Sequence, residues 1–398
     1  MPNLSSPLVQ ERQIWYASQP SYVKRMVERS KRYLYYIVEE LEKRGMPTEL
    51  ALLPMVESAF NPMAYSRSHA SGLWQFIPST GKNYNLEQNS WYDGRRDIVA
   101  STSAALDYLQ FLYQMHGDWH LALASYNWGE NAVARAIEKN RAKGLPTDYL
   151  SLSMPAETRY YVPKLQALKN IIANPHSFGV DLEPVPNTPY FVTIERTRDI
   201  DVRLAAKLAD MPLDEFLALN PGHNRPVIIA NGSTELVLPA DKAKIFLANL
   251  QEHDAPLVSW QTYTLKRGDS LQHLASKHGI SLASLKQING IGRRTRVGPG
   301  YQVLLPLKGA SIEPLPVSFR PPAAAQSRTS ARKISYTVKR GDTLSEIADR
   351  YKVSIDDLRR WNKIGRLNAG QRLTIETNQQ APKTSGRSAK KRRTARHK

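Results

Sequence analysis

The chain of 398 residues contains no cysteine. That absence excludes disulfide cross-links, thiolate zinc sites, cysteine nucleophiles and the acceptor thiol of a lipoprotein anchor within this sequence. An anchor of that kind would have to sit on residues outside it. No run of about eighteen or more apolar residues occurs, so no membrane-spanning helix is expected. The opening Met-Pro-Asn-Leu-Ser-Ser-Pro lacks the basic stretch and apolar core of an export signal. Acidic residues are also short in supply: 36 Asp and Glu stand against 55 Lys and Arg, a net charge of +19. Such an excess favours a polyanionic partner.

Eight of those 19 charges, Lys383, Arg387, Lys390, Lys391, Arg392, Arg393, Arg396 and Lys398, lie in a terminal stretch without Asp or Glu. Its Pro, Ser, Thr, Gly and Ala cannot bury a core, so 378–398 is read as a basic disordered tail. Anionic envelope polymers are its candidate partner; nucleic acid is not favoured, and a solvated tail without a specific partner stays open.

Up to about residue 178 the pattern is helical. Apolar residues recur at spacings of three and four over 22–43, 98–116, 120–128 and 131–140. Gly45, Pro47, Asn61-Pro62, Pro78, Gly117, Gly144 and Pro146 punctuate them. This predicts one all-α domain over 1–180, with its core in about 20–178. Pro184, Pro186 and Pro189 then open a connector over 181–259. A Pro/Ala/Ser-rich linker is expected over 309–333.

The two segments beside that linker are a repeat. Tyr263-Thr-Leu-Lys-Arg-Gly-Asp-Ser-Leu returns as Tyr336-Thr-Val-Lys-Arg-Gly-Asp-Thr-Leu, and Asn289 returns in register as Asn362. Each copy reads strand, Gly-Asp turn, helix, helix, strand, with Thr343 and Glu346 at capping-box spacing. Leu344, Ile347 and Ala348 form one inward face; Leu358 and Trp361 form a second. These units, 260–308 and 334–377, resemble LysM modules, a family that binds glycans containing N-acetylglucosamine. The resemblance implies glycan contacts around Gly268, Asp269, Asn289, Gly341, Asp342 and Asn362. A degenerate relative is suggested at 201–239, where Val202, Ala205, Ala206, Phe216 and Asn220 repeat the pattern without a Gly-Asp turn.

The chemistry is concentrated between Glu57 and Gln75. A helix is predicted from an N-cap at Thr48 to Ser58, stopped by Asn61-Pro62. Leu50 and Leu53 precede Glu57 by seven and four residues, which puts its carboxylate on their core-facing side. Burial disfavours the charged form and raises the pKa, as a general acid near neutral pH requires. A helix-end glutamate in a salt bridge is the alternative that these residues leave open.

Four motifs in order settle the comparison with known families: Glu57-Ser58, Gly72-Leu-Trp-Gln-Phe-Ile-Pro78, Ala124-Ser-Tyr-Asn-Trp-Gly129 and Glu157-Thr-Arg-Tyr-Tyr-Val162. Together they resemble the soluble-type, goose-lysozyme-like catalytic domain of lytic transglycosylases. The expected architecture is therefore multidomain: an all-α lysozyme-like catalytic domain followed by small α+β (βααβ) LysM modules. The resemblance implies cleavage of peptidoglycan between N-acetylmuramic acid and N-acetylglucosamine, leaving 1,6-anhydromuramic acid ends. It makes Glu57 the single acid and base, and it places Ser58, Ser66, Gln75, Tyr126, Asn127 and Tyr161 around the saccharide. Ser66 as a loop support, Gln75 as a helix cap and Tyr126 as core are the plainer alternatives. Buried core is the default for Trp74, Trp91, Trp119 and Trp128.

The motifs give no second carboxylate a catalytic role; Asp93, Asp97, Asp118 and Glu130 are unplaced. His116-Gly-Asp-Trp-His120 lacks the helix and glutamate of a zinc motif, so neither metal nor cofactor is expected. The implied setting is a monomer in the bacterial periplasm or cell envelope, outer-membrane-anchored if its anchor lies beyond this sequence. A hydrolytic muramidase and a non-catalytic wall-binding scaffold are the rival readings.

Overall fold

The computed structural model describes residues 1–195, 198–230, 235–292, 295–307, 332–339, 342–351, 353, 358, 361–362 and 367–377. It divides into two units, 1–323 and 324–398. Most of the linker, the basic tail and Gly341 lie outside the described residues.

The first unit begins with α1 (Pro7–Ala17), α2 (Pro20–Ser30) and α3 (Leu34–Lys43). Its middle holds a 3-10 turn at Thr48–Leu52, then α4 (Leu53–Ser58), α5 (Pro78–Asn83), α6 (Ile98–His116), α7 (Trp119–Trp128), α8 (Glu130–Arg141), α9 (Ala156–Arg159) and α10 (Tyr161–Ala173). Helix α10 runs through the middle of the domain and touches α1, α4 and α7. Asp97 and Asp118 cap α6 and α7 by accepting the Ala100 and Leu121 amides, and Gly117 and Gly129 end them at positive φ.

Three expectations change. The pattern over 22–43 predicted one helix, but the chain breaks between α2 and α3 at Tyr33. Its ring stacks on Phe60, centroids 6.3 Å apart, and its hydroxyl donates to Ala218 O at 2.9 Å. Packing outweighs local propensity there. Thr48 does not cap an α-helix: the turn Thr48–Leu52 is 3-10, and α4 then runs to Ser58 as expected, its end marked by Ala59 and Phe60, both left-handed at φ 52° and 53°. The helix α1 was not expected at all. Only Val9 and Tyr16 of its residues are buried, too few to show a periodic face.

Next come β1 (Phe191–Ile194), β2 (Ile200–Asp201), α11 (Val202–Leu208), α12 (Leu213–Leu219), β3 (Val227–Ile228), β4 (Leu236–Pro239) and α13 (Ala243–Gln251). Strand β1 pairs antiparallel with β4, and β2 pairs with β3. The module after them has β5 (Trp260–Thr264), α14 (Leu271–Lys277), α15 (Leu282–Ile288) and β6 (Gln302–Pro306), with β5 antiparallel to β6. In the second unit β7 (Arg332–Thr337) pairs with β8 (Arg372–Thr377) around α16 (Leu344–Tyr351). Ile347, Leu358, Leu373 and Ile375 fill its core, and Thr343 and Glu346 bond each other's amides as the capping box requires.

One asparagine repeats in all three small units. Asn220 accepts the Val237 amide at 2.9 Å and donates to Val237 O and Phe216 O. Asn289 does the same with Leu304 and Leu285 O, and Asn362 with Thr374 and Leu358 O. Each carboxamide acts as an extra rung between the second helix and the closing strand. Replacing Asn220 by Ala leaves a buried N–H and C=O unpaired, at a cost of about 1–3 kcal/mol. We expect the Val237 amide of that variant to exchange hydrogen roughly 10- to 100-fold faster, with α6 amides unchanged.

Candidate active site

Glu57 lies in the last turn of α4, with Leu50 and Leu53 fully buried behind it. It is half-buried. Tyr161 Oη, at the start of α10, donates to Glu57 Oε1. The junction of α9 and α10 that presents this hydroxyl is held by Tyr149, which donates to Thr158 O at 2.6 Å and accepts the Val162 amide at 3.3 Å.

Burial pushes the Glu57 carboxyl from its ordinary 4.5 up to about 7. The Tyr161 hydrogen bond pulls the other way, Glu157 adds a further upward push, and Lys164 opposes it. Burial, then the nearby Glu57 charge, drives the Tyr161 and Tyr126 hydroxyls well above the usual phenol range. Both therefore stay protonated donors at neutral pH.

The loop after α4 folds back on the same site. Ser58 Oγ lies 2.8 Å from Leu73 O and 3.1 Å from Pro54 O, so its proton serves the backbone and ties α4 to the loop. Ser66 Oγ accepts the Ala70 amide at 3.0 Å and keeps its own proton available. Gln75, at φ 50°, donates from Nε2 to Gly72 O at 2.8 Å and Ala64 O at 3.3 Å, leaving its carbonyl oxygen free. It bridges the loop instead of capping a helix. Gly72 is at φ 85°, and a Cβ there would sit 2.0 Å from Arg95 O, so no other residue fits.

Tyr126 and Asn127 arrive from the end of α7. Tyr126 Oη donates to Trp74 O at 2.8 Å, and its ring packs on Tyr108, centroids 5.4 Å apart. Asn127 Oδ1 accepts from Thr158 Oγ1 at 2.8 Å. Hydrogen bonds and side-chain packing thus join Glu57, Ser58, Gln75, Tyr126, Asn127, Tyr161 and the Ser66 loop into one region. Trp74 is core: it is fully buried and donates to Thr102.

The four unplaced acids have structural partners. Asp93 clamps the Arg95 guanidinium at 2.9 and 2.7 Å. Asp97 caps α6 and accepts from Tyr92, Asp118 caps α7, and Glu130 accepts from Tyr108 at 3.0 Å. His116 bonds Ser125, and His120 bonds Pro2 O.

In the LysM units the expected glycan contacts need correction at Asn289 and Asn362, whose carboxamides are engaged in the rungs described above. Asp269 and Asp342 brace their turns, accepting the Lys266 and Lys339 amides and the Tyr263 and Tyr336 hydroxyls. Gly268 sits at φ 93°, as the turn needs. What sequence reasoning missed is the pair Arg95 and Arg96, 5% and 1% exposed beneath the loop after α4. Their only signal is two adjacent arginines after Asp93-Gly94.

The comparisons agree with this picture. The family model "Transglycosylase SLT domain" matches residues 35–147, and "LysM domain" matches 263–306 and 336–376. The model "Lytic transglycosylase MltD, LysM-like domain" matches 190–255, the unit built on Asn220. Membrane-bound lytic murein transglycosylase D of Escherichia coli K12 is 36% identical over 381 residues, 92% of this chain and 81% of that protein. An autolysin of Enterococcus faecalis is 40% identical over 117 residues, 29% of this chain and 15% of its own. The domains are those of a lytic transglycosylase acting on peptidoglycan. The chain belongs to the family of membrane-bound lytic murein transglycosylase D.

The Glu57 environment yields a signed pH effect. Its folded pKa is raised, so the folded state binds the proton more tightly and stability falls as pH climbs from about 4.5 to about 7. Glu57→Gln removes that loss, so its thermal midpoint should exceed the parent's at pH 8 and match it near pH 4.5. Tyr161→Phe removes a donor to the carboxylate and should raise the Glu57 pKa further, read by NMR titration.

Proposed function

We propose that this protein cleaves the β-1,4 bond between N-acetylmuramic acid and N-acetylglucosamine by intramolecular transfer, with Glu57 as the only acid and base. The observation that carries the reading is the Glu57 carboxyl, held by the Tyr161 hydroxyl and raised by burial to about 7, while Asp93, Asp97, Asp118 and Glu130 are engaged elsewhere. Ordinary glycosidases need a second carboxylate, as nucleophile or to activate water. A substrate that brings its own nucleophile does not.

Glu57 protonates the bridging oxygen as the muramyl C1 gains oxocarbenium character. The 2-acetamido group shares that positive charge. The Tyr161 hydroxyl then stabilises the carboxylate left on Glu57. That carboxylate takes the proton from the muramyl C6 hydroxyl while O6 attacks C1, closing the 1,6-anhydro ring. Every proton removed is one that Glu57 returns in the next cycle, and no metal or cofactor enters. The free Gln75 carbonyl suits an acetamide N–H, and the Ser66 hydroxyl suits a sugar oxygen. Tyr126 and Asn127 form the floor beside them, and Ser58 acts by holding the loop to α4.

The LysM units hold the glycan through their Gly-Asp turns, Gly268-Asp269 and Gly341-Asp342, and the basic tail suits anionic envelope polymers. The likeness to membrane-bound lytic murein transglycosylase D supports work in the cell envelope, and the protein is read as a monomer there. Glu57→Gln should cost about 100- to 10,000-fold in turnover while peptidoglycan pull-down is retained. Mass spectrometry of the parent's muropeptides should find anhydro ends; reducing ends would make it a hydrolytic muramidase instead.

A further inference from the structure

Besides the contacts that Tyr33 and Tyr36 make with Ala218 and Phe191, the LysM-like unit meets the catalytic domain at one loop, 89–96. The turn after α12 meets it along its length. Gly222 O accepts the Asp93 amide at 2.8 Å, and Trp91 O accepts the Asn224 amide at 2.8 Å. Asn224 Nδ2 donates to Asn89 O at 3.1 Å, and Arg225 Nε donates to Ser90 O at 2.9 Å. Arg225 also reaches Ile288 O at the end of α15 and lies over the Trp91 ring, 5.9 Å from its centroid. The turn can come this close because Gly222 has no side chain: a Cβ would sit 2.7 Å from the Tyr92 ring.

The far side of the same loop holds the saccharide loop. Arg95 and Arg96 are buried cations with one carboxylate, Asp93, between them: Arg95 at 2.7 Å and Arg96 at 3.9 Å. Buried charge must find acceptors. Arg95 Nη1 finds them in the backbone, at His69 O (2.7 Å) and Phe76 O (3.2 Å), on both sides of Gly72–Gln75. Arg96 finds the Asn224 carboxamide on one side and Met63 Sδ at 3.9 Å on the other. Each guanidinium therefore pins the loop that carries Ser66 and Gln75 to a frame completed by the LysM-like unit.

The geometry points to the LysM-like unit as a positioning element for the saccharide site, with its Gly222–Arg225 turn setting, through Arg95 and Arg96, the pose of the Ser66–Gln75 loop. This rests on the reading that Ser66 and Gln75 meet the sugar. The unit touches no reacting atom; its effect is on how well the strand is held.

The test is a double-mutant cycle in the full chain on soluble, uncross-linked peptidoglycan strands. Asn224→Ala should raise KM roughly fivefold with kcat changed less, and should leave the Glu57 limb of the pH profile in place. Gln75→Ala should raise KM alone, and the two together should raise it by clearly less than the product of the single effects. Gly222→Ala should reproduce the Asn224→Ala effect by a different route. A parental KM in both turn variants, or effects that multiply fully, overturns the proposal while leaving the site reading intact. Should Gln75→Ala itself leave KM unchanged, the site reading fails and this inference falls with it. A turn variant that loses thermal stability with KM unmoved marks a purely structural joint and also overturns it.

Discussion

A carboxyl group that must keep its proton near neutral pH and then give it away needs apolar surroundings and one well-placed donor. Glu57 has both: Leu50 and Leu53 behind it and the Tyr161 hydroxyl in front. Much of the catalytic domain can be traced from that demand. Helix α10 crosses the centre to deliver Tyr161, Tyr149 steadies its first turn, and the short α4 ends abruptly so that the chain after Glu57 returns over the carboxyl. Two left-handed residues in succession, Ala59 and Phe60, are the local strain this reversal entails.

The architecture around the site works by backbone acceptors more than by side-chain pairs. Ser58 to Leu73 O, Gln75 to Gly72 O, Tyr126 to Trp74 O and Arg95 to His69 O all fasten one loop at different points. Except for the Gln75 bond, these do not depend on the identity of the loop side chains. They leave the Ser66 hydroxyl proton and the Gln75 carbonyl oxygen free for a ligand.

Legibility in the sequence followed the range of the forces involved. Helices α6, α7 and α8 were visible because apolar residues recur at spacings of three and four between the breakers Gly117, Gly144 and Pro146. Glu57 was visible from the spacing to Leu50 and Leu53 and from the motifs around it. The break at Tyr33 was not, because its cause is a stack on Phe60 and a bond to Ala218, 185 residues away. The roles of Arg95 and Arg96 were hidden for the same reason. Asn289 and Asn362 misled in another way: recurrence in register was read as ligand contact, when the recurring requirement is an amide that joins helix to strand.

That joint has a consequence for how such modules diverge. A βααβ unit closed by its own asparagine carries its integrity inside, so its outer turn is free to change without collapse. The segment over 190–255 has dropped the Gly-Asp turn yet kept Asn220 and the full bonding pattern. The same small scaffold thus becomes a mortise for a neighbouring domain in one copy and a hand for a polymer in the others.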